Sequence, residues 1–145
     1  MIGAIIVSHN LFADGILTSC DMIFGNHHDC QSVCLTEGVD TFSKQLDDML
    51  DKMFHNYSFV FTFADLKGGT PYNQLLRYQL EHQQNNMMIV PGVNLPMIIE
   101  LLGRMDSDNP VKLISELIEI GKDNISLTKL ENDNHSANLD DDILG

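Results

Sequence analysis

The stretch that decides the fold is residues 4–10, which read AIIVSHN. Its first four residues are apolar and three of them are β-branched, as in a central strand of a parallel sheet that is covered on both faces. Ligands of such sheets lie at the carboxyl ends of the strands. His9 therefore stands where chemistry is expected, and Asn10 is predicted to cap the helix that starts at Leu11.

Strand and helix patterns alternate along the rest of the chain. Apolar runs predict further strands at residues 29–35, 57–63 and 87–90. Helical spacing predicts helices at residues 11–24, 41–53, 71–83, 95–105 and 110–121, the last capped by Asn109. Residues 125–129 alternate and predict a half-exposed edge strand, in the sheet of this chain or of a neighbour.

This order predicts the α/β class, with a doubly wound, mostly parallel sheet in a flavodoxin-like three-layer αβα arrangement. A C-terminal edge strand completes the expected fold, and its exchange between two chains of a dimer is one arrangement open to it. We expect one domain at residues 1–130, because a chain of this length can bury a real core. Residues 131–145 hold five acids and no Lys or Arg, and predict a disordered tail.

The net charge of −13 disfavours a nucleic-acid partner. The apolar runs are far shorter than the roughly 20 residues that span a bilayer. The N-terminus has no basic segment before the first strand, so we expect a cytoplasmic protein.

The cysteines indicate reduced, buried thiols, because Cys20, Cys30 and Cys34 are odd in number and lack CxxC spacing. A metal site with His27 and His28 is disfavoured. Residues 30 and 34 of a strand lie about 13 Å apart, too far for one ion or for a disulfide. We expect no metal and no cofactor.

Three strand ends should converge at one edge of this sheet, at residues 8–10, 64–70 and 92–94. Gly68 and Gly69 allow the backbone to approach a ligand closely. Thr70 opens a helix, so its hydroxyl and nearby N–H groups can face a phosphate. These features predict a site that handles an anion.

Asp65 is the expected partner of His9. A carboxylate that accepts a hydrogen bond from Nδ1 fixes the tautomer of the ring and leaves Nε2 free to carry a phosphoryl group. Each residue also has an ordinary explanation. A histidine at a strand end is often structural, an aspartate there can cap a turn, and Gly-Gly-Thr-Pro is a common loop. Taken alone, the residues leave both interpretations open.

Three ordered motifs over residues 3–130 resemble the IIA component of the mannose-type sugar phosphotransferase system, the mannose, fructose, sorbose and N-acetylgalactosamine family. They are IVSH at residues 6–9, DLKGGTP at 65–71 with Asn73, and GVNLPM at 92–97. The resemblance implies a phosphotransferase whose phosphorylated histidine is His9. It also implies that Asp65 orients the ring and that Thr70 binds phosphate.

We add Asn10, Gly68 and Gly69 to the expected phosphate-binding set, with Ser8 and Asn94 at the edge of the site. The resemblance further implies that His9 receives its phosphoryl group from phospho-HPr and passes it to a IIB component. Family members are cytoplasmic homodimers in which the last strand crosses to the partner's sheet. They serve a membrane-embedded IIC/IID permease.

Two features depart from the family pattern. Asn10 stands where many relatives have Gly, and Leu66-Lys67 replaces the bulkier pair of some mannose-specific members. One alternative is the phosphotransfer subunit of a dihydroxyacetone kinase, which shares the strand-one histidine. Another is a non-catalytic flavodoxin-like binding or regulatory domain. A receiver domain is disfavoured because strand one ends in His rather than in an acidic pair.

Overall fold

The computed structural model describes residues 1–25 and 29–131, in which four strands alternate with four helices and a fifth helix follows. The strands are β1 (Ile2–His9), β2 (Cys30–Leu35), β3 (Phe59–Ala64) and β4 (Met87–Pro91). The helices are α1 (Phe12–Phe24), α2 (Val39–Asn56), α3 (Thr70–His82), α4 (Leu95–Leu102) and α5 (Pro110–Asp123). The predicted elements up to residue 123 are therefore present, with bounds that shift by a few residues.

The sheet is parallel throughout, in the order β2-β1-β3-β4. Successive residues of β1 point to opposite faces of the sheet, as the pleat of a strand requires. Ala4 and Ile6 belong to the core beneath α1, α4 and α5, while Ile5 and Val7 belong to the core beneath α2 and α3. Helices on both faces explain the unbroken apolar run, and the predicted doubly wound, three-layer αβα fold is confirmed.

The middle of the sheet contains a topological switch point. The chain leaves β1 for β2 on one side and returns to pair β3 on the other side of β1. Such a point opens a crevice at the carboxyl ends of the two inner strands, where ligands of α/β sheets bind. The register pairs Val7 with Ala64, so the next residues of β1 and β3 emerge side by side.

The prediction that residues 125–129 form an edge strand is wrong for the chain's own sheet. These residues form no strand in the structure, and Ile125 and Leu127 are exposed. An alternating pattern states which face a strand would bury, but a strand forms only where a sheet edge accepts its hydrogen bonds. Pairing with a neighbouring chain stays a prediction. The predicted tail lies outside the described residues, apart from Glu131.

No helix in the described ranges combines the length and the hydropathy that crossing a bilayer requires.

Candidate active site

His9 and Asp65 meet at the switch point. Asp65 directly follows β3, and its backbone N–H donates to the carbonyl of Val7 at 3.3 Å. Its Oδ2 accepts the backbone N–H of His9 at 2.9 Å and lies 2.9 Å from Nδ1 of the same residue. One carboxylate oxygen thus holds both the backbone and the ring of His9. The contact predicted between Asp65 and Nδ1 is present.

The two side chains differ in exposure. The imidazole is 47% exposed, whereas the side chain of Asp65 is 15% exposed. The second carboxylate oxygen, Oδ1, is buried and has no hydrogen-bond partner within the described part of the chain. The charge of Asp65 therefore acts on the ring through a poorly solvated region, where electrostatic interactions are stronger than in water. Nε2 remains available for chemistry.

The loop after Asp65 brings the N-terminus of α3 against the imidazole. Gly68 has a φ of 82°, in the left-handed region, and Asn73 donates from Nδ2 to its carbonyl at 3.2 Å. Gly69 is the N-cap of α3 and packs against the ring of His9. Thr70 then begins the helix. The unpaired N–H groups and partial positive charge of a helix N-terminus favour an anion at this place.

Ser8 and Asn10 shape the turn on either side of His9. Asn10 has a φ of 51°, and its N–H donates to the carbonyl of Leu35 at 2.9 Å. The left-handed region accepts Asn as well as Gly, so this loop keeps a shape that a glycine would also adopt. The prediction that Asn10 caps α1 is wrong, because the cap position is Leu11.

The capping interaction comes from further back in the chain. The hydroxyl of Ser8 accepts the backbone N–H of Ala13 at 2.8 Å and donates to the carbonyl of Asn10 at 3.0 Å. A side chain inside β1 therefore does what the residue before a helix normally does. A hydroxyl residue at the end of a buried apolar run was the one sequence signal for this role.

Asn94 contacts two helices. Its Oδ1 accepts the N–H of Met97 at 3.3 Å, which caps α4, and its Nδ2 donates to the carbonyl of Gly121 at 2.8 Å. These bonds join the start of α4 to the last turns of α5. Sequence reasoning missed this structural role, and the place of Asn94 at the edge of the site stays a prediction.

The three cysteines are free. Burial raises the pKa of Cys20 to about 11 and raises the pKa of Cys30 as well. His27 and His28 lie outside the described residues. Within the described ranges, no three His, Cys, Asp or Glu side chains are grouped as metal ligands.

Known proteins resemble this chain in sequence. The sequence model of a family described as "PTS system fructose IIA component" matches residues 3–119. The fructose-specific EIIA component of Bacillus subtilis is 33% identical over 104 residues, which cover 70% of this chain and 69% of that protein. The mannose-specific EIIAB component of Escherichia coli is 24% identical over 131 residues. That match covers 88% of this chain and 40% of the longer protein.

Solved structures resemble it in fold as well. The EIIA component from Streptococcus agalactiae superposes with a TM-score of 0.74 at 26% identity, covering 88% of this chain and 97% of that one. The mannose/sorbose-specific IIA subunit from Enterococcus faecalis gives 0.76 at 25% identity, covering 91% and 98%. These matches lend no support to the dihydroxyacetone kinase or binding-domain alternatives. The chain belongs to the family described as the fructose IIA component of the phosphotransferase system, and it is a phosphocarrier component of a sugar phosphotransferase system.

Proposed function

We propose that His9 accepts a phosphoryl group on Nε2 from phospho-HPr and passes it to a IIB component. The observation that carries the proposal is the distance of 2.9 Å between Nδ1 of His9 and Oδ2 of Asp65. A proton held on Nδ1 by the carboxylate leaves the lone pair of the neutral ring on Nε2. That nitrogen is the nucleophile.

The transfer step moves one phosphoryl group from phospho-HPr to His9. The lone pair of Nε2 attacks the phosphorus, a P–N bond forms at Nε2, and the donor atom of HPr keeps the electron pair of the bond that breaks. The ring gains positive character, which Asp65 stabilises at Nδ1. In the second transfer the same events run from His9 to the acceptor on the IIB component.

The transferring group carries negative charge that the site must stabilise. Catalysis of phosphoryl transfer depends mainly on positioning and on electrostatic stabilisation. The N-terminus of α3, with the hydroxyl of Thr70, supplies donors on the side of Gly69. Gly68 and Asn10, both with left-handed backbones, complete the proposed phosphate-binding set.

Two protein partners must each reach Nε2 in turn. The half-exposed ring stands at the surface with exposed Leu11 and Leu66 nearby in the chain. The net charge of −13 fits a partner with a positive docking face. We place the reaction in the cytoplasm, with a membrane-embedded IIC/IID permease as an indirect partner.

We also infer a homodimer in which residues 125–130 pair with the sheet edge of a second copy. Ile125, Leu127 and Leu130 are exposed in the single chain, although apolar side chains favour burial. Strand β4 pairs with β3 on one side and has no strand partner on the other among the described residues, and such an unpaired strand edge can accept another chain.

The acceptor is tested by incubating the protein with labelled phosphoenolpyruvate, enzyme I and HPr. We expect the wild type to take up label and His9→Ala to take up none. The matched control is His55→Ala, which removes an exposed histidine from α2 and should label like the wild type. Label that persists in His9→Ala would show that another residue is the acceptor.

The role of the carboxylate is tested with Asp65→Ala in the same assay. A hydrogen bond to a charged group contributes about 1.5–3 kcal/mol, which corresponds to a fall in transfer rate of roughly tenfold to one-hundredfold. We expect the variant to remain folded, as checked by circular dichroism. A rate equal to that of the wild type would show that Asp65 does not orient the ring.

A further inference from the structure

Gly69 touches the imidazole of His9 at an atom next to the one that Asp65 holds. A Cβ built on Gly69 would lie 2.7 Å from Cε1 of the ring and 3.5 Å from Nε2. Ordinary contact of a Cβ begins at 3.4 Å. Cε1 therefore occupies the space that a side chain at position 69 would need, and any residue other than glycine would collide with the ring.

The backbone of Gly69 does not itself require glycine. Its φ of −76° and ψ of 167° are extended values that every residue adopts. Gly68, one residue earlier, differs because its φ of 82° favours glycine whatever surrounds it. A Cβ at position 69 would also lie 3.3 Å from the carbonyl oxygen of Leu66, but its tightest contact by far would be with Cε1 of the ring.

The backbone around Gly69 is held from both sides. Its N–H donates to the carbonyl of Leu66 at 3.1 Å, and its carbonyl accepts the N–H of Asn73 at 2.9 Å. Retreat of this residue would break the turn after Asp65 and the first hydrogen bond of α3. The half-exposed ring has solvent to move into. A collision at position 69 would therefore move the imidazole rather than the loop.

We propose that Gly69 is a positioning residue for His9. Because Gly69 has no side chain, Cε1 of the imidazole can pack against its α-carbon while Asp65 holds Nδ1. Contacts at two adjacent ring atoms set both the place and the rotation of the imidazole, and they leave Nε2 directed outward. A ring displaced by about 0.7 Å away from Asp65 would put Nδ1 and Oδ2 about 3.6 Å apart instead of 2.9 Å, too far for a hydrogen bond. The inference rests on the proposed function, since the orientation matters for transfer only if Nε2 reacts.

Three variants test this contact. Gly69→Ala adds the colliding Cβ. Gly69→Ser adds the same Cβ together with a hydroxyl that improves capping of α3, which separates the ring contact from helix stability. Gly38→Ala is the matched control. Gly38 is the N-cap of α2 in extended backbone, like Gly69 in α3, but a Cβ there meets nothing within 4 Å.

The first measurement is the tautomer of His9, read from ring nitrogen shifts in the ¹⁵N-labelled, unphosphorylated protein. We expect a proton on Nδ1 in the wild type and in Gly38→Ala. Both Gly69 variants should show a substantial share of the Nε2–H tautomer, because their ring leaves Asp65. Thermal unfolding verifies that each variant is folded. The second measurement is phosphorylation by phospho-HPr, which we expect to slow at least tenfold in both Gly69 variants.

A wild-type tautomer in folded Gly69→Ser or Gly69→Ala would overturn the proposal, whatever the transfer rates. The same shift in Gly38→Ala would overturn it as well. Failure of the proposed function has a different signature. In that case the wild type takes up no phosphoryl group, while the tautomer comparison still reports whether Gly69 seats the ring.

Discussion

Ser8 and Thr62 are the polar residues that are fully buried in the described part of the chain, and each uses its hydroxyl. Thr62 donates to the carbonyl of Met88 at 2.7 Å, which ties β3 to β4. Ser8 makes two bonds and so links the end of β1, the left-handed turn at Asn10 and the start of α1. Since His9 lies between the bonded residues, the hydroxyl stabilises the backbone from which the imidazole projects.

Replacement of Ser8 by alanine should therefore destabilise the protein by about 1–2 kcal/mol, the usual cost of losing a capping side chain and leaving a buried N–H unpaired. Unfolding in urea, monitored by circular dichroism, measures the change. Thr18→Ala serves as the control. It removes an exposed hydroxyl bond to Gly15 in the same helix and should cost less than about 0.5 kcal/mol. Equal losses in the two variants would contradict the role assigned to Ser8.

Helices α4 and α5 depend on each other at one point. Asn94 caps α4 and donates to the carbonyl of Gly121 in α5. The packing there is tight, because a Cβ on Gly121 would lie 2.5 Å from the terminal methyl of Met97. Helix α4 has only 8 residues, and short helices owe most of their stability to tertiary packing. The Asn94 side chain supplies both a cap and a tertiary contact.

Two asparagine residues that cap helices provide a matched comparison. Asn109 caps α5 by accepting the N–H of Lys112 at 3.2 Å. We expect Asn109→Ala to cost about 1 kcal/mol. Asn94→Ala should cost about 1 kcal/mol more, since it also removes the bond between the helices. Urea unfolding of both variants measures the difference, and equal costs would show that the bond to Gly121 contributes nothing.

The whole molecule leaves apolar surface that a single copy does not cover. The exposed alternating residues at 125–130 follow α5, and the sheet ends at β4 with an open edge. An unpaired strand edge is a template for another chain. A second copy would cover the exposed apolar residues and pair with the open edge of β4 at the same time, and a symmetric exchange would close the assembly at two chains.

Truncation distinguishes the contribution of residues 125–131 to the dimer from that of residues 132–145. A chain that ends at Asn124 should sediment as a monomer in analytical ultracentrifugation, because it lacks the residues inferred to pair with the partner's sheet. A chain that ends at Glu131 should sediment as a dimer, like the full chain. A dimer of the shorter chain would place the interface elsewhere, and a monomeric full chain would refute the dimer itself.

The architecture and the contact between His9 and Asp65 could be predicted from the sequence for a clear reason. An apolar run covered on both faces, followed by alternating strand and helix patterns, restricts the topology to a parallel sheet. The carboxyl ends of parallel strands meet at one edge. His9 and Asp65 follow from that rule, together with the motifs that resemble the family. The Asn10 cap was wrong, and so was the edge strand at residues 125–129 within the chain's own sheet, because each depends on the path of other parts of the chain.

By itself, the sequence determined the fold class, the order of strands and helices along the chain, and the pairing of His9 with Asp65 at adjoining strand ends, because periodicity and chain order are local properties. The tertiary structure alone decided which atoms meet: Ser8 capping α1, Asn94 joining α4 to α5, and the α-carbon of Gly69 against the ring of His9. These contacts join residues that are 5, 27 and 60 positions apart, and each depends on how the chain packs to within a few tenths of an ångström. No pattern of residue types encodes distances of that size.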